Sequence, residues 1–214
     1  MKKRVVCFGD SNTWGYIPVT MERYDETIRW PGILQAKLGD EYTVVEEGLT
    51  GRTTIYDDPF DPYLNGLKFM PAVLRTAAPI DLLVFMLGTN DFQSHIPAGS
   101  PIATARGVQM MLEEAMKLPL DRPGGKMKIL LISPIEISEA RLTFKENDVT
   151  DQQSIDNSRK LGKHMKIVAE QLGVEFIDAA QFVKPGDVDG VHLDEKGHAQ
   201  MAELVYEKVK QMLP

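Results

Sequence analysis

Three residues at the two ends of this chain have the types and spacing that nucleophilic catalysis requires. Ser11 closes the segment Gly9 to Ser11, directly after a short apolar run that predicts a buried strand. Asp189 and His192 lie three residues apart near the C-terminus. A serine hydroxyl is a weak nucleophile until a base takes its proton, and a carboxylate holds that base in the correct tautomer. The pattern therefore predicts Ser11 as nucleophile, His192 as general base and Asp189 as the orienting carboxylate.

Two further segments supply groups that could stabilise a developing oxyanion. Gly48 follows a second strand-like run, and Asn90 lies in the segment Gly88 to Asp91, after a third. The carboxyl ends of parallel strands meet at one edge of a sheet, where ligands bind. We therefore predict an oxyanion hole made of the backbone amides of Ser11 and Gly48 and the side-chain amide of Asn90.

Each of these segments taken singly has an ordinary structural explanation. A serine after Gly-Asp is often a helix cap, an Asn-Asp pair often forms a turn, and Asp-x-x-His is most often a surface loop. The catalytic interpretation depends on all of them falling at strand ends in one pattern. Four neighbouring side chains are candidates for substrate contact, although the position of Asp10 favours a residue that anchors its loop: Asp10, Trp14, Phe92 and His95.

Alternating apolar segments predict the architecture that positions these residues. Five apolar runs predict buried strands: 5–8, 43–45, 82–87, 129–132 and 174–177. Helix-period segments lie between and after them, at 33–38, 103–118, 154–172 and 195–212. This alternation predicts an α/β fold, a three-layer α/β/α flavodoxin-like sandwich. We expect a single domain over residues 1–214, with a mostly five-stranded parallel sheet in the order 2-1-3-4-5.

Composition argues against several classes of function. The chain has 214 residues and a net charge of −7, without a basic run, which disfavours nucleic acid and anionic membrane surfaces as partners. No apolar run is long enough for a transmembrane helix, and the first one stops at Gly9, too early for a signal peptide. We therefore expect a cytoplasmic protein. Cys7 is the only cysteine, and no histidine or cysteine spacing suits a metal, so neither a metal nor a cofactor is predicted.

The four segments resemble the blocks of the SGNH, or GDSL-type, esterase/lipase family. The matching residues are Gly9 to Ser11, Gly48, Gly88 to Asp91, and Asp189 to His192, in that order along nearly the whole chain. The resemblance implies Ser11, Asp189 and His192 as the triad and a small-molecule ester as substrate. It also implies Gly48 and Asn90 as oxyanion donors beside the Ser11 amide. The first block departs from the pattern at one position, because Asn12 stands where Leu is usual.

Further segments resemble the bacterial arylesterase/acyltransferase branch of that family. These segments are 7–11, 29–32, 46–49, 51–54, 57–59 and 65–66. The resemblance implies hydrolysis of small aryl and alkyl acetates, with acyl transfer to alcohols or perhydrolysis as further activities. It also implies a homo-oligomer, since the type member is an octamer. The segment 136–150 is more polar than is typical of that branch.

Other functions remain open from the residues alone. The same scaffold could remove acetyl groups from carbohydrates, or cleave lysophospholipids or thioesters. A catalytically silent module that binds a small ligand or a partner would be indifferent to loss of Ser11. A flavodoxin-like cofactor binder is disfavoured, because Asp10 at the first strand end would repel a phosphate.

Overall fold

A five-stranded parallel sheet organises the protein. The computed structural model describes residues 1–214. The strands are β1 (Lys3–Gly9), β2 (Tyr42–Gly48), β3 (Leu82–Met86), β4 (Lys128–Ser133) and β5 (Glu175–Asp178). Their order is β2-β1-β3-β4-β5, and every neighbouring pair is parallel. The predicted α/β class and strand order are confirmed.

Seven α-helices connect and cover the strands. They are α1 (Ser11–Trp14), α2 (Trp30–Leu38), α3 (Gly66–Ala77), α4 (Pro101–Lys117), α5 (Ala140–Thr143), α6 (Gln152–Leu172) and α7 (Glu195–Met212). Helices α2 and α7 pack on one face of the sheet, and α3, α4 and α6 pack on the other. No helix has both the length and the apolar character needed to cross a bilayer.

Alternation along β1 divides the interior into two apolar cores. Val6 and Phe8 belong to the core beneath α3, α4 and α6, whereas Val5 and Cys7 belong to the core beneath α2 and α7. Successive side chains of a strand point to opposite faces, so a strand covered on both sides is apolar throughout. This is why the central strands form continuous apolar runs that end abruptly at polar residues.

Helix α3 is absent from the sequence-based prediction, which places no helix between the second and third strands. Pro71 lies inside this helix, where it lacks an N–H to donate to the preceding turn and disfavours helix in any propensity-based interpretation. The helix begins with a cap, because the Asn65 side chain accepts the N–H of Lys68 at 3.2 Å. Burial of Met70 and Leu74 in the core supplies the packing that outweighs the proline.

His198 on α7 ties down the start of α2. The Arg29 side chain makes no capping bond there, and the His198 ring Nδ1 instead accepts the N–H of Trp30 at 3.3 Å. Burial lowers the pKa of His198 to about 4, because the charged ring would be desolvated. The neutral ring is therefore the form that joins α2 to α7.

This arrangement predicts an acid-sensitive contribution to stability. In the unfolded chain His198 takes up a proton near pH 6.5, but the fold resists protonation until about pH 4, so its contribution is complete above pH 6.5 and lost as the pH falls towards 4. His198→Asn keeps an acceptor for Trp30 but does not titrate. The free energy of unfolding of the wild type relative to this variant should fall by about 3 kcal/mol between pH 7 and pH 4.

Chemical denaturation of both proteins across this pH range measures the difference. Burial raises the pKa of Asp10 and of Asp91 to about 6, and these carboxyl groups favour the fold as the pH falls from 6 towards 4, which is the opposite sign. Because both proteins contain them, the comparison cancels their effect. If the difference in free energy of unfolding between the two proteins stayed constant with pH, the role of His198 would be contradicted.

Candidate active site

Ser11, His192 and Asp189 form a hydrogen-bonded chain at the carboxyl edge of the sheet. His192 Nε2 lies 2.9 Å from Ser11 Oγ, and His192 Nδ1 lies 2.5 Å from Asp189 Oδ2. Ser11 starts α1 directly after β1, whereas the other two residues lie in the turn before α7. Residues 181 positions apart are thus brought within hydrogen-bonding distance, in the geometry by which a serine is activated by a base.

The Asp189 carboxylate is held as an anion that orients the imidazole. Its Oδ1 accepts the backbone N–H groups of Val191 and His192 at 3.1 and 3.0 Å, so the turn is fixed by the same side chain. Burial acts to raise the pKa of Asp189, but the hydrogen bond and charge of His192 outweigh it and hold this pKa below its ordinary value. A charged Asp189 requires the proton on His192 Nδ1 and leaves Nε2 free to accept the Ser11 proton.

Asp10 shapes the turn that presents Ser11, which corrects its prediction as a substrate contact. Its side chain is only 1% exposed, and Oδ1 accepts the N–H of Asn12 at 3.0 Å as the cap of α1. Oδ2 has no hydrogen-bond partner, and burial raises the pKa of Asp10 to about 6. A group enclosed in this way cannot touch a substrate that reaches Ser11.

Asn90 presents its amide from the turn after β3, with both ends of the side chain engaged. Its Nδ2 donates to the backbone carbonyl of Arg52 at 3.0 Å, and its Oδ1 accepts from Gln93 Nε2 at 2.9 Å. These two bonds determine which end of the amide is nitrogen and leave its second N–H without a partner. The role of Asn90 as an oxyanion donor stays a prediction, and the sequence did not indicate Gln93.

Gly48 does not have the orientation that an oxyanion donor requires. It is the last residue of β2 and pairs with Gly9 in the parallel register. The next amide, that of Leu49, donates to the Gly9 carbonyl at 3.1 Å. Successive amides of a strand point to opposite sides, so the Gly48 N–H points away from β1 and from Ser11. The structure corrects this prediction and gives Gly48 a packing role, because a side chain there would overlap the backbone of Trp14.

Gly51, three residues after Gly48, is the candidate for the backbone donor that Gly48 does not supply. It lies in a tight turn in which the Arg52 N–H donates to the Leu49 carbonyl at 3.2 Å, and its φ of +78° suits glycine. The N–H groups of Gly51 and Ser11 donate to no other backbone group. The carbonyl of the following residue, Arg52, receives Asn90, so this turn lies against the Asn90 side chain. In the sequence, this glycine begins the segment 51–54, which resembles the arylesterase/acyltransferase branch.

Arg52 fastens this turn to the first strand. The buried guanidinium donates to the carbonyls of Gly9 (2.7 Å) and Glu47, and it lies 4.1 Å from the centre of the Phe8 ring. Burial lowers the pKa of Arg52 to about 10, which leaves it cationic at neutral pH. Both bonds come from Nη1, and they hold the carboxyl ends of β1 and β2 together.

Tyr16 follows α1 and packs against the triad, whereas Trp14 is the last residue of that helix. The Tyr16 ring packs on the His192 ring with centroids 4.5 Å apart, a contact that sequence patterns did not indicate. Trp14 is half-buried, with the Arg23 guanidinium 5.3 Å from its ring centre. A substrate-contacting role for Trp14 stays a prediction.

Phe92 and His95 follow the Asn90 turn but have different surroundings. Phe92 is 5% exposed, against 6% for Ser11, and belongs to the core beneath α4 and α6, so its contact with substrate stays a prediction. His95 bonds Asp58 through Nε2 at 2.9 Å and packs against the exposed ring of Phe60. It links two surface loops, and its contact with substrate stays a prediction.

Two cavities lie away from the triad. One of about 550 Å³ borders Lys128 and Gly173, and another of about 590 Å³ borders Phe176 and Phe182. Both are lined by residues from the region of β5, and neither includes Ser11.

Known proteins share the sequence pattern of this chain. Residues 7–200 match the model of the GDSL-like lipase/acylhydrolase family. An acetylxylan esterase from Xylanibacter ruminicola is 29% identical over 97% of the chain, which spans only 43% of the length of that relative.

Solved structures extend the likeness over the whole chain. An aryl esterase from M. smegmatis superposes with a TM-score of 0.90 at 31% identity, covering 99% of this chain and 100% of that one. A carbohydrate acetylesterase from Sinorhizobium meliloti superposes with a TM-score of 0.91 at 32% identity, with the same coverage. The resemblance inferred from the four blocks is confirmed, and the chain belongs to the GDSL-like lipase/acylhydrolase family, a family of carboxylic ester hydrolases.

Proposed function

We propose that this protein is a serine esterase that hydrolyses acetyl-type esters through an acyl-enzyme. The observation that carries the proposal is the continuous chain from Ser11 Oγ through the His192 ring to Asp189, with distances of 2.9 and 2.5 Å. Three unengaged N–H donors accompany it, from Ser11, Gly51 and Asn90. A nucleophile, its base and oxyanion donors are the parts that acyl transfer needs.

The reaction follows from the positions of these groups. His192 Nε2 takes the Ser11 proton as Oγ attacks the ester carbonyl, and the carbonyl oxygen becomes an oxyanion held by the three donors. His192 then gives its proton to the leaving alcohol, which departs as the acyl-enzyme forms. In the second half of the reaction His192 takes a proton from water, which attacks the acyl-enzyme. The proton then returns to Ser11 Oγ as the acid leaves. Asp189 keeps its charge throughout and stabilises the imidazolium.

The shape of the site supports a short acyl group. A long acyl chain gains affinity only where an apolar cavity removes it from water. The cavities of about 550 and 590 Å³ lie elsewhere, and Ser11 is only 6% exposed. We expect kcat/KM to be highest for p-nitrophenyl acetate and to fall through butyrate to octanoate. Initial rates on the three esters measure this order, and a preference for octanoate would move the assignment to a lipase or thioesterase.

A carbohydrate acetyl ester is the second candidate substrate. It is favoured by the relatives, since an acetylxylan esterase and a carbohydrate acetylesterase are similar to most or all of this chain. Acetate release from acetylated xylan and from peracetylated xylose, compared with phenyl acetate, separates the two classes. Faster release from the sugar esters at equal ester concentration would select the carbohydrate function.

Acyl transfer and self-association are also proposals for this chain. Transfer to an alcohol requires that water be excluded from the acyl-enzyme. Exposed apolar side chains at Val19, Phe60 and Tyr63 offer surface that a second copy could cover. Product ratios in water–alcohol mixtures test the first proposal, and sedimentation analysis tests the second.

A further inference from the structure

Asn12, the residue after the nucleophile, holds both neighbours of the catalytic base. Its Nδ2 donates to the backbone carbonyl of Val191 at 3.2 Å, and its Oδ1 accepts the backbone N–H of Leu193 at 2.9 Å. The side chain is buried, with 3% exposed. One amide therefore bonds the residue before His192 and the residue after it.

These two bonds connect the segment around Ser11 to the turn around His192. The other hydrogen bond between the two is the one from His192 to Ser11. The Asn12 pair and the bond from His192 to Ser11 are the hydrogen bonds between segments 9–14 and 189–193. Other hydrogen bonds act within the His192 turn or connect it to other parts of the chain. The Gly190 carbonyl accepts the N–H of Ser138, and the His192 carbonyl accepts the N–H of Gly186. They fix the shape of the turn. The distance between the turn and Ser11 is set by the two bonds of Asn12.

The side chain also satisfies backbone groups that have no other partner. The Leu193 N–H and the Val191 carbonyl make no other hydrogen bond in the fold. A leucine at position 12, the usual residue of the GDSL pattern, branches at the same side-chain atom but can bond neither group. A buried backbone group without a partner destabilises the arrangement that contains it, so the turn would shift to find one.

We propose that Asn12 is a positioning residue that sets the separation of His192 from Ser11. The proposal rests on the proposed function, because it assigns Asn12 a part in activating the same nucleophile. Proton transfer depends steeply on the distance between the base and the hydroxyl, and a displacement of about 1 Å can cost about 100-fold in rate. Asn12 acts through the backbone on either side of His192.

Replacement of Asn12 tests this role through the division between kcat and KM. Asn12→Leu should lower kcat for p-nitrophenyl acetate by about 10-fold to 100-fold and change KM by less than about threefold, since the substrate does not touch this side chain. Asn157→Leu is the matched control, because Asn157 is a buried asparagine on α6 that bonds Gln153 and no triad residue. Its kcat should stay within about twofold of wild type.

A spectroscopic readout distinguishes positioning from loss of structure. The proton between His192 Nδ1 and Asp189 should give a downfield proton resonance, given the separation of 2.5 Å. We expect this resonance to broaden or shift in Asn12→Leu and to be unchanged in Asn157→Leu. Should Asn12→Leu fail to fold, as judged by circular dichroism, Asn12→Ser decides, because serine is too short to bond both backbone groups.

The outcomes separate this inference from the proposed function. A wild type without esterase activity, or an active Ser11→Ala variant, would remove the proposed function and the role of Asn12 in it. An active wild type with a kcat in Asn12→Leu within twofold would overturn the role of Asn12 alone. The role would also be overturned by an equal fall in kcat in Asn157→Leu, by a change in KM alone in Asn12→Leu, or by an unchanged downfield resonance.

Discussion

Replacement of Ser11 by alanine is expected to lower kcat/KM for p-nitrophenyl acetate by about 10⁴-fold to 10⁶-fold. The attacking oxygen is removed, and His192 then has no hydroxyl to deprotonate, although the oxyanion donors remain and sustain a small residual rate. KM should change little. Because members of a triad act as a unit, the double variant Ser11→Ala, His192→Ala should be no slower than the single variant by more than about tenfold.

A matched serine elsewhere controls for the substitution. Ser94 is exposed, and its hydroxyl makes no hydrogen bond in the fold, so Ser94→Ala should keep wild-type rates. A fluorophosphonate should add once to the wild type, at Ser11 by peptide mass spectrometry, and not at all to Ser11→Ala. Activity retained in a homogeneous Ser11→Ala preparation would refute the proposed mechanism.

Loss of the Asn90 amide is expected to have the next largest effect. Asn90→Ala should reduce kcat by about 100-fold to 1,000-fold with KM nearly unchanged, because the lost hydrogen bond strengthens only as negative charge develops on the substrate oxygen. Gln93 and the Arg52 carbonyl hold this amide in place before substrate arrives, so the donor needs no rearrangement during the reaction. Asn157→Ala provides a buried asparagine control. If kcat/KM fell by the same factor in Asn90→Ala through a rise in KM alone, Asn90 would be assigned to substrate binding in the ground state.

The backbone donor of the oxyanion hole is best identified in a covalent adduct. Side-chain substitution cannot delete a glycine N–H, and an L-residue at Gly51 would be strained by its φ of +78°. In a crystal structure of the phosphonylated enzyme, we expect the phosphonyl oxygen to lie about 2.7–3.1 Å from the amides of Ser11 and Gly51 and from Asn90 Nδ2. An oxygen bound to the Gly48 amide would restore the original prediction.

The triad and the sheet were accessible from sequence because both depend on local pattern. A buried parallel strand is a short apolar run, and a polar residue at its end marks the edge where ligands bind. Ser11 and Asn90 follow such runs directly, so their placement needs only the strand order. Helix α3 was missed because Pro71 opposes helix locally, whereas burial of Met70 and Leu74, which supports it, is a tertiary effect.

Roles that depend on the direction of a group were decided only by the tertiary structure. Gly48 and Gly51 are both glycines in one segment, and the parallel register with β1 turns the amide of the first away from Ser11. Asp10 and Phe92 are near the nucleophile and Asn90 in sequence, but the fold buries their side chains.

The sequence by itself determined the α/β class, the strand order and the identities of Ser11, Asp189 and His192 as candidates. Only the tertiary structure placed Asn12 against Val191 and Leu193, some 180 positions away. The physical reason is that strand periodicity and turn chemistry act over a few residues, whereas a hydrogen bond between distant segments requires that packing bring the donor and the acceptor into line.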